Sequence, residues 1–524
     1  MFYTLDWIII GLYCIGIISL ATYVSRKKSG SERSAEDYFL AGRSLPWWAI
    51  GASLIAANIS AEQIIGMSGQ GFVVGMAIAV WELTAAIALI VMAKFFLPLF
   101  LEKKIYTMPQ FLEQRFDKRV SLVLSFFWLT VYIFVNLTAV LWLGSLAINT
   151  LTGMSLVNGM ILLAFLSLAY SLSGGLKAVA MTDIVQVVLL IFGGLAVSYI
   201  ALTKIGDGNI ATGMVQVYQQ MPEKFDMILS PDNPSYNNLP GIWILIGAGV
   251  WIGHFAYWGF NQYITQRALG AKSLKEAQKG VMFAAYLKLL MPLVIVLPGI
   301  CAAILFPVLD KTDQAYPTMM IELLPSGLLG LTFAALIAAI VSSLASMTNS
   351  ISTIFTMDIC RSFARNEIQQ QSLILIGRSA VVGSMLIALV MAKPILGNSD
   401  EIFQYIQNFT GLFTPGILVI FLVALFWKKA TTLSVLVAAI LSVVMSIFIQ
   451  ASFPDFPYIH RMGVVFFASG MGCYLTSRAQ GYLDQEKAID LNGINFKTSK
   501  AFNVNSLIIA VSYTHLRAHE TAYY

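Results

Sequence analysis

Asn58, Ser60, Glu62 and Gln63 interrupt an otherwise apolar stretch, WWAIGASLIAANISAEQIIGMSG, which also holds Gly51 and Gly66. Glu82 then stands alone inside VWELTAA, and Lys288 alone inside FAAYLKLLMP. A second interrupted stretch, GIWILIGAGVWIGHFAYWGFNQY, carries Gly253, His254, Tyr257, Trp258, Gly259, Asn261 and Gln262. AAIVSSLASMTNS adds Ser342, Ser343 and Ser346, FQYIQNFTGLFTPG adds Gln407, and SGGLKAVAMTDIVQ adds Asp183 near one end of its segment. Amides, a carboxylate and an ammonium can donate to and accept from the hydroxyls of a polar solute. Adjacent serine hydroxyls, with carbonyls released by a broken helix, suit a hard cation. The competing explanations are ordinary ones: Asn and Ser as glue between helices, serines bonded back to their own helix, a structural Glu–Lys pair and aromatic packing. Residue types alone leave both sets open.

No signature of covalent chemistry accompanies these residues. The four histidines lack metalloprotease spacing and no phosphate-binding loop is present, so nothing here hydrolyses ATP. Cys14, Cys301, Cys360 and Cys473 show no paired spacing, which points away from disulfides and metal clusters. The chain is therefore not expected to be an enzyme. Any work it does draws on an ion gradient or a partner.

The elements that must position these groups are membrane spans. The composition is 58% hydrophobic and only 11% charged, which a soluble domain cannot hide. Thirteen segments approach the roughly 20 apolar residues that cross a bilayer: 4–25, 46–68, 72–100, 121–149, 155–172, 178–203, 240–265, 280–307, 325–356, 373–393, 401–427, 431–452 and 459–477. Polar and ionisable groups at membrane depth face a cavity or a partner by default. Of the 32 Lys and Arg, 25 fall in or at the edges of alternate gaps counted from the first, 5 in or at the edges of the opposite gaps (Lys204, Lys224, Lys311, Lys393, Arg461) and 2 deeper within spans (Lys94, Lys288). Basic residues stay cytoplasmic, so the N-terminus is expected outside. Arg26-Lys27-Lys28 follow the first apolar stretch instead of preceding it, the wrong order for a cleaved signal peptide. The net charge of +5 thus reports topology and not nucleic-acid binding.

Two interrupted spans, each followed by a span with one buried charge, suggest two five-span repeats. The expected organisation is an extra span in 1–30, repeats in 46–203 and 240–427, further spans in 431–477, and a cytoplasmic linker and end in 478–524. An odd number of spans per repeat forces the second copy to insert upside down, with the site at the midplane between them.

SLPWWAIGASLIAANISAEQ, SGGLKAVAMTDIVQ, YWGFNQYITQR, AAIVSSLASMTNSISTIFTMDI and FQYIQNFTGLFTPGI, in this order, resemble the sodium/solute symporter family, and within it the bacterial sodium/galactose (sodium/glucose-type) transporters. The resemblance spans roughly residues 5–480. It implies an all-α polytopic membrane protein of the LeuT-type fold, placed in a bacterial cytoplasmic membrane and surrounded by lipid. It implies a sodium site on the carbonyls of Ala56, Ile59 and Ala339 and the hydroxyls of Ser342 and Ser343. The sugar site falls on Gln63, Glu82, Lys288 and Gln407, with Asn58 and Met67 nearby. Tyr257 matches the aromatic inner gate, Trp258 follows it, and Asp183 falls toward the cytoplasmic exit. The expected function is sodium-coupled uptake of galactose or glucose, with inositol or sialic acid as alternative solutes. A membrane sensor or an integral-membrane enzyme is the rival from another class.

Two positions depart from the resemblance. Ala85 replaces a serine one turn after the glutamate, and His254 replaces an asparagine three residues before the gating tyrosine. Both would touch the solute and bear on which hexose is preferred. His254 is also expected to lend the transport rate some pH dependence near neutrality. At the end of the chain, NVNSLIIAV begins another span and SYTHLRAHETAYY turns polar abruptly. This ending resembles translated adapter read-through, so the gene is expected to be truncated, with no functional weight after about residue 511.

Overall fold

The computed structural model describes residues 2–25, 40–105, 107–364, 368–399 and 401–521, and these are helical almost throughout. The basic residues Arg26, Lys27, Lys28, Arg33 and Arg365, which entered the topology count, lie outside the described residues. Ten helices position the site: α1 (Thr4–Ser25), α2 (Trp47–Asn58), α3 (Val80–Val91), α4 (Leu156–Ile205), α5 (Gly249–Phe260), α6 (Gln262–Leu269), α7 (Leu274–Met291), α8 (Leu328–Ile354), α9 (Ile402–Thr410) and α10 (Thr414–Phe426).

Among the described residues, eight helices are long and apolar enough to cross a membrane, and nine if α9 and α10, bent by 46° at Gly411–Phe413, count as one span. Breaks and polar content account for the shortfall from thirteen. The segment 46–68 is cut at Ile59–Ala61, and 240–265 is cut at Gly247–Ala248 and again at Asn261. Tyr458–Ala479 is diluted by Arg461 and small polar residues. One expectation is overturned here. The segments 155–172 and 178–203 run as a single helix, α4, with no gap at Lys177. That stretch has glycines but no proline, so nothing removes a backbone donor from the helical ladder.

Contacts between elements explain the site. α2 packs on α7, α4, α6 and α8, while α3 packs on α7 and α5. α4 and α8 share the most extensive contact in the molecule, and α1 lies against both. Asp6 of α1 is fully buried and accepts from the amides of Gly327 (2.7 Å) and Gly330 (2.9 Å), capping the start of α8. A carboxylate at a helix N-terminus satisfies donors that have no intrahelical partner.

Glycines let the first broken span meet the span carrying Lys288 backbone to backbone. A Cβ on Gly51 would lie 2.6 Å from the Gly280 carbonyl, and one on Gly299 would lie 2.1 Å from the Ser68 carbonyl. Gly299→Val is therefore expected to force the two spans apart, at about 3 kcal/mol or more. A thermal melt of the detergent-solubilised protein checks this. An unchanged midpoint would contradict the packing described.

Candidate functional site

The site is built where two helices break. α2 ends at Asn58, and Ile59 leaves the helical region at ψ 80°. The Ser60 amide, which a continuing helix would aim at the Ala56 carbonyl, instead donates to Asn58 O at 2.9 Å. Helical structure resumes as a π-helical turn, Glu62–Met67, and continues through Ser68–Val74. The Ala56 carbonyl is thus released by the break, and Ser343 Oγ of α8 donates to it at 3.4 Å. Ser342 donates to Asp183 of α4. Neither serine bonds back to its own helix. Ser346 does, to Ser342 O at 2.7 Å.

The second break is at Asn261, between α5 and α6, and lies later than the start of the polar run at Gly253. Tyr132 OH donates to Asn261 Oδ1 at 2.7 Å and accepts from the Gln262 amide at 3.0 Å, which holds the junction open.

Between the breaks lies a cavity lined by Asn58, Gln63, Glu82, His254, Tyr257, Trp258, Lys288 and Gln407. Eight of the nine residues expected at a solute site are thereby brought together. The ninth, Met67, is fully buried one turn from Gln63 and does not line the cavity. Its side chain serves packing. Lys288 Nζ lies 2.6 Å from Glu82 Oε2, with both side chains almost completely buried. The same ammonium donates to Asn58 Oδ1 and sits 5.4 Å from the Trp258 ring centre. Asn58 Nδ2 donates to Tyr257 OH at 3.1 Å, and Tyr257 OH shares a 2.6 Å hydrogen bond with Tyr263 OH. This chain ties the inner tyrosine to the break in α2. Gln63 Oε1 and His254 Nε2 are buried without a hydrogen-bond partner among the described residues, and the His254 ring lies edge-on to Trp81 at 5.4 Å. Buried polar atoms left unpaired are where a ligand's own polar groups would be accommodated.

Of the residues expected to coordinate a cation, Ala56, Ile59, Ala339, Ser342 and Ser343 are all buried at the contact of α2 with α8. Their donors are neutral oxygens, a chemistry that fits a hard monovalent ion. Asp183 is fully buried and accepts a hydrogen bond from Ser342.

Its counter-charge is Arg267 of α6, buried in the protein 3.7 Å from Asp183. Its Nε donates to Ser53 O (2.9 Å) and Ser53 Oγ (2.7 Å), and the guanidinium also reaches Tyr263 O and Ser346 Oγ. Ser53 in turn donates to Asp183. Four helices converge on this network directly beside the serine pair. Nothing in the spacing of Arg267 distinguishes it from a loop arginine. Glu62, Trp81, Phe127, Trp128 and Asn136 also line the cavity. Asn136, a lone amide inside 121–149, carried a usable signal of the same kind as Glu82.

A broken helix whose released carbonyl meets Ser343, beside a buried polar cavity in a multi-span bundle, is the architecture of a class: the multi-pass secondary transporters. Residues 38–434 match the family model of the sodium:solute symporter family. The chain is 45% identical to a sodium/glucose cotransporter from Vibrio parahaemolyticus over 97% of this chain and 98% of that protein. It is 31% identical to sodium/myo-inositol cotransporter 2 from Oryctolagus cuniculus over 81% of this chain and 66% of that protein. Among solved structures, a Na+-coupled sialic acid symporter in a substrate-bound outward-open state superposes with a TM-score of 0.79 at 21% identity, covering 91% of this chain and 98% of that one. The chain belongs to the sodium:solute symporter family, has the LeuT-type fold, and is a sodium-coupled solute transporter of the membrane and not an enzyme.

Proposed function

We propose that this protein takes up a neutral hexose, galactose or glucose, with sodium, across a bacterial cytoplasmic membrane with its N-terminus outside. The observation that carries the solute class is the self-neutralised Glu82–Lys288 pair on a cavity also lined by Gln63, Gln407 and Asn58. Such groups exchange hydrogen bonds with vicinal hydroxyls and reject analogues that lack them, because buried partners are then left unpaired. A carboxylate-bearing solute such as sialic acid would want a positive charge of its own, and Lys288 is already committed to Glu82. An inositol, being a neutral polyol, is the second reading; a cotransporter of myo-inositol is among the relatives.

In this reading sodium binds on the carbonyls of Ala56, Ile59 and Ala339 and the hydroxyls of Ser342 and Ser343, holding the break in α2 against α8. That fixes Asn58 and, through it, Lys288 and Tyr257. The solute then binds, the bundle rocks, and Tyr257 withdraws to release both inward. One sodium crossing about 100 mV supplies roughly 2.3 kcal/mol, and a tenfold gradient adds about 1.4 kcal/mol. At one-to-one coupling the two sustain roughly 500-fold accumulation.

Uptake of labelled galactose, glucose and myo-inositol into proteoliposomes under an inward sodium gradient tests the reading. The hexoses are expected to accumulate and Gln63→Ala to abolish it. Accumulation of inositol alone would overturn the hexose assignment. Ser343→Ala, which removes one oxygen from the proposed cage, is expected to raise the sodium concentration for half-maximal uptake roughly tenfold. A sodium titration that does not move would remove Ser343 from the cage.

A further inference from the structure

Glu62 is the one cavity-lining charge the solute reading does not use. The titratable groups on this cavity are Glu62, Glu82, His254, Tyr257 and Lys288, so two carboxylates face one ammonium. That ammonium is consumed: Lys288 Nζ is 2.6 Å from Glu82, donates to Asn58 and rests over Trp258. The Glu62 carboxylate, partly exposed to the cavity, has no ion-pair or hydrogen-bond partner among the described residues. It opens the helical turn Glu62–Met67, with its own amide donating to Ser60 Oγ at 3.2 Å. An ionised group in a largely buried site is costly unless paired.

We infer that the Glu62 carboxylate receives a cationic group of the solute, so that the site takes amino sugars bearing a protonated amine in addition to neutral hexoses and turns uronic acids away. This rests on the sugar reading above and names a further substrate class for the same cavity. A second sodium ion would satisfy the same charge, but a hard cation needs several free oxygens. The nearby Tyr257 and Tyr263 hydroxyls are bonded to each other, and Tyr257 also to Asn58. An ammonium asks less: one carboxylate and whatever hydroxyls the sugar brings.

The experiment is competition against labelled galactose uptake in proteoliposomes at saturating sodium, using galactosamine, unlabelled galactose and galacturonate, with wild type, Glu62→Gln and Glu62→Asp. In wild type, galactosamine is expected to compete at roughly tenfold lower concentration than galacturonate, the scale of a charged hydrogen bond. Glu62→Gln should collapse that ratio toward one, while Glu62→Asp retains most of it. Equal competition by the amino and acidic sugars in wild type would overturn the inference, and that arm needs no variant to fold. A Glu62→Gln protein that keeps the ratio but carries fewer labelled sodium ions per galactose would assign the charge to a second sodium and overturn it too. Absence of any labelled galactose uptake in wild type would instead strike the sugar reading itself.

Discussion

Lys288→Ala is expected to abolish solute uptake, by more than about 100-fold, and to destabilise the fold by about 3–5 kcal/mol. The second figure follows from the geometry of the pair: removing one partner leaves Glu82 as an uncompensated charge at 1% exposure. The two losses separate in a double variant. Replacing Glu82 by Gln and Lys288 by Met removes both charges and keeps volume, which is often neutral or favourable to stability. The double variant should recover the melting midpoint of the wild type while transport stays lost, because Asn58 and the solute both lose their ammonium. Melting and uptake measured side by side on the three proteins decide it. A Lys288→Ala protein that still transports would show that the ammonium holds the bundle together and does not hold the solute.

The second large effect is expected at Arg267. Arg267→Ala leaves Asp183 buried without its counter-charge and removes a donor from Ser53, Ser346 and the Tyr263 carbonyl, at a cost of about 3–5 kcal/mol. Arg267→Met combined with Asp183→Asn should restore the midpoint. Sodium-dependent uptake is not expected to return with it, since Ser342, one of the hydroxyls proposed to hold the cation, is oriented by its donation to Asp183. Stability recovered together with a wild-type sodium titration would mean that this network holds the fold and has no part in the cation's coordination.

How far the sequence reached is clear from individual residues. The break after Asn58 was legible because Asn58, Ser60, Glu62 and Gln63 are costly inside a span and occur together. A Glu–Lys pair stood only as the competing explanation for two lone charges in corresponding spans, and Glu82 and Lys288 do form one. The grouping of Gln63, Gln407, Tyr257 and Trp258 on one cavity depended on the family resemblance, since each alone reads as ordinary packing. The partnership of Arg267 with Asp183 was not legible, because Arg267 follows the break at Asn261 within a few residues, where a charge on a short helix looks like a loop charge. The continuous α4 was missed for the converse reason: Lys177 beside two glycines looks like a gap, yet glycine weakens a helix without removing its hydrogen bonds. Met67 was placed near the solute by the family resemblance; it is buried and does not line the cavity.

The central claim is that sodium and solute cross together. It is tested most directly by loading proteoliposomes with equal labelled sodium on both sides and imposing only an inward galactose gradient. The account predicts that sodium accumulates inside against its own gradient, and that Ser343→Ala suppresses this accumulation. Galactose entry with no net movement of sodium would contradict it.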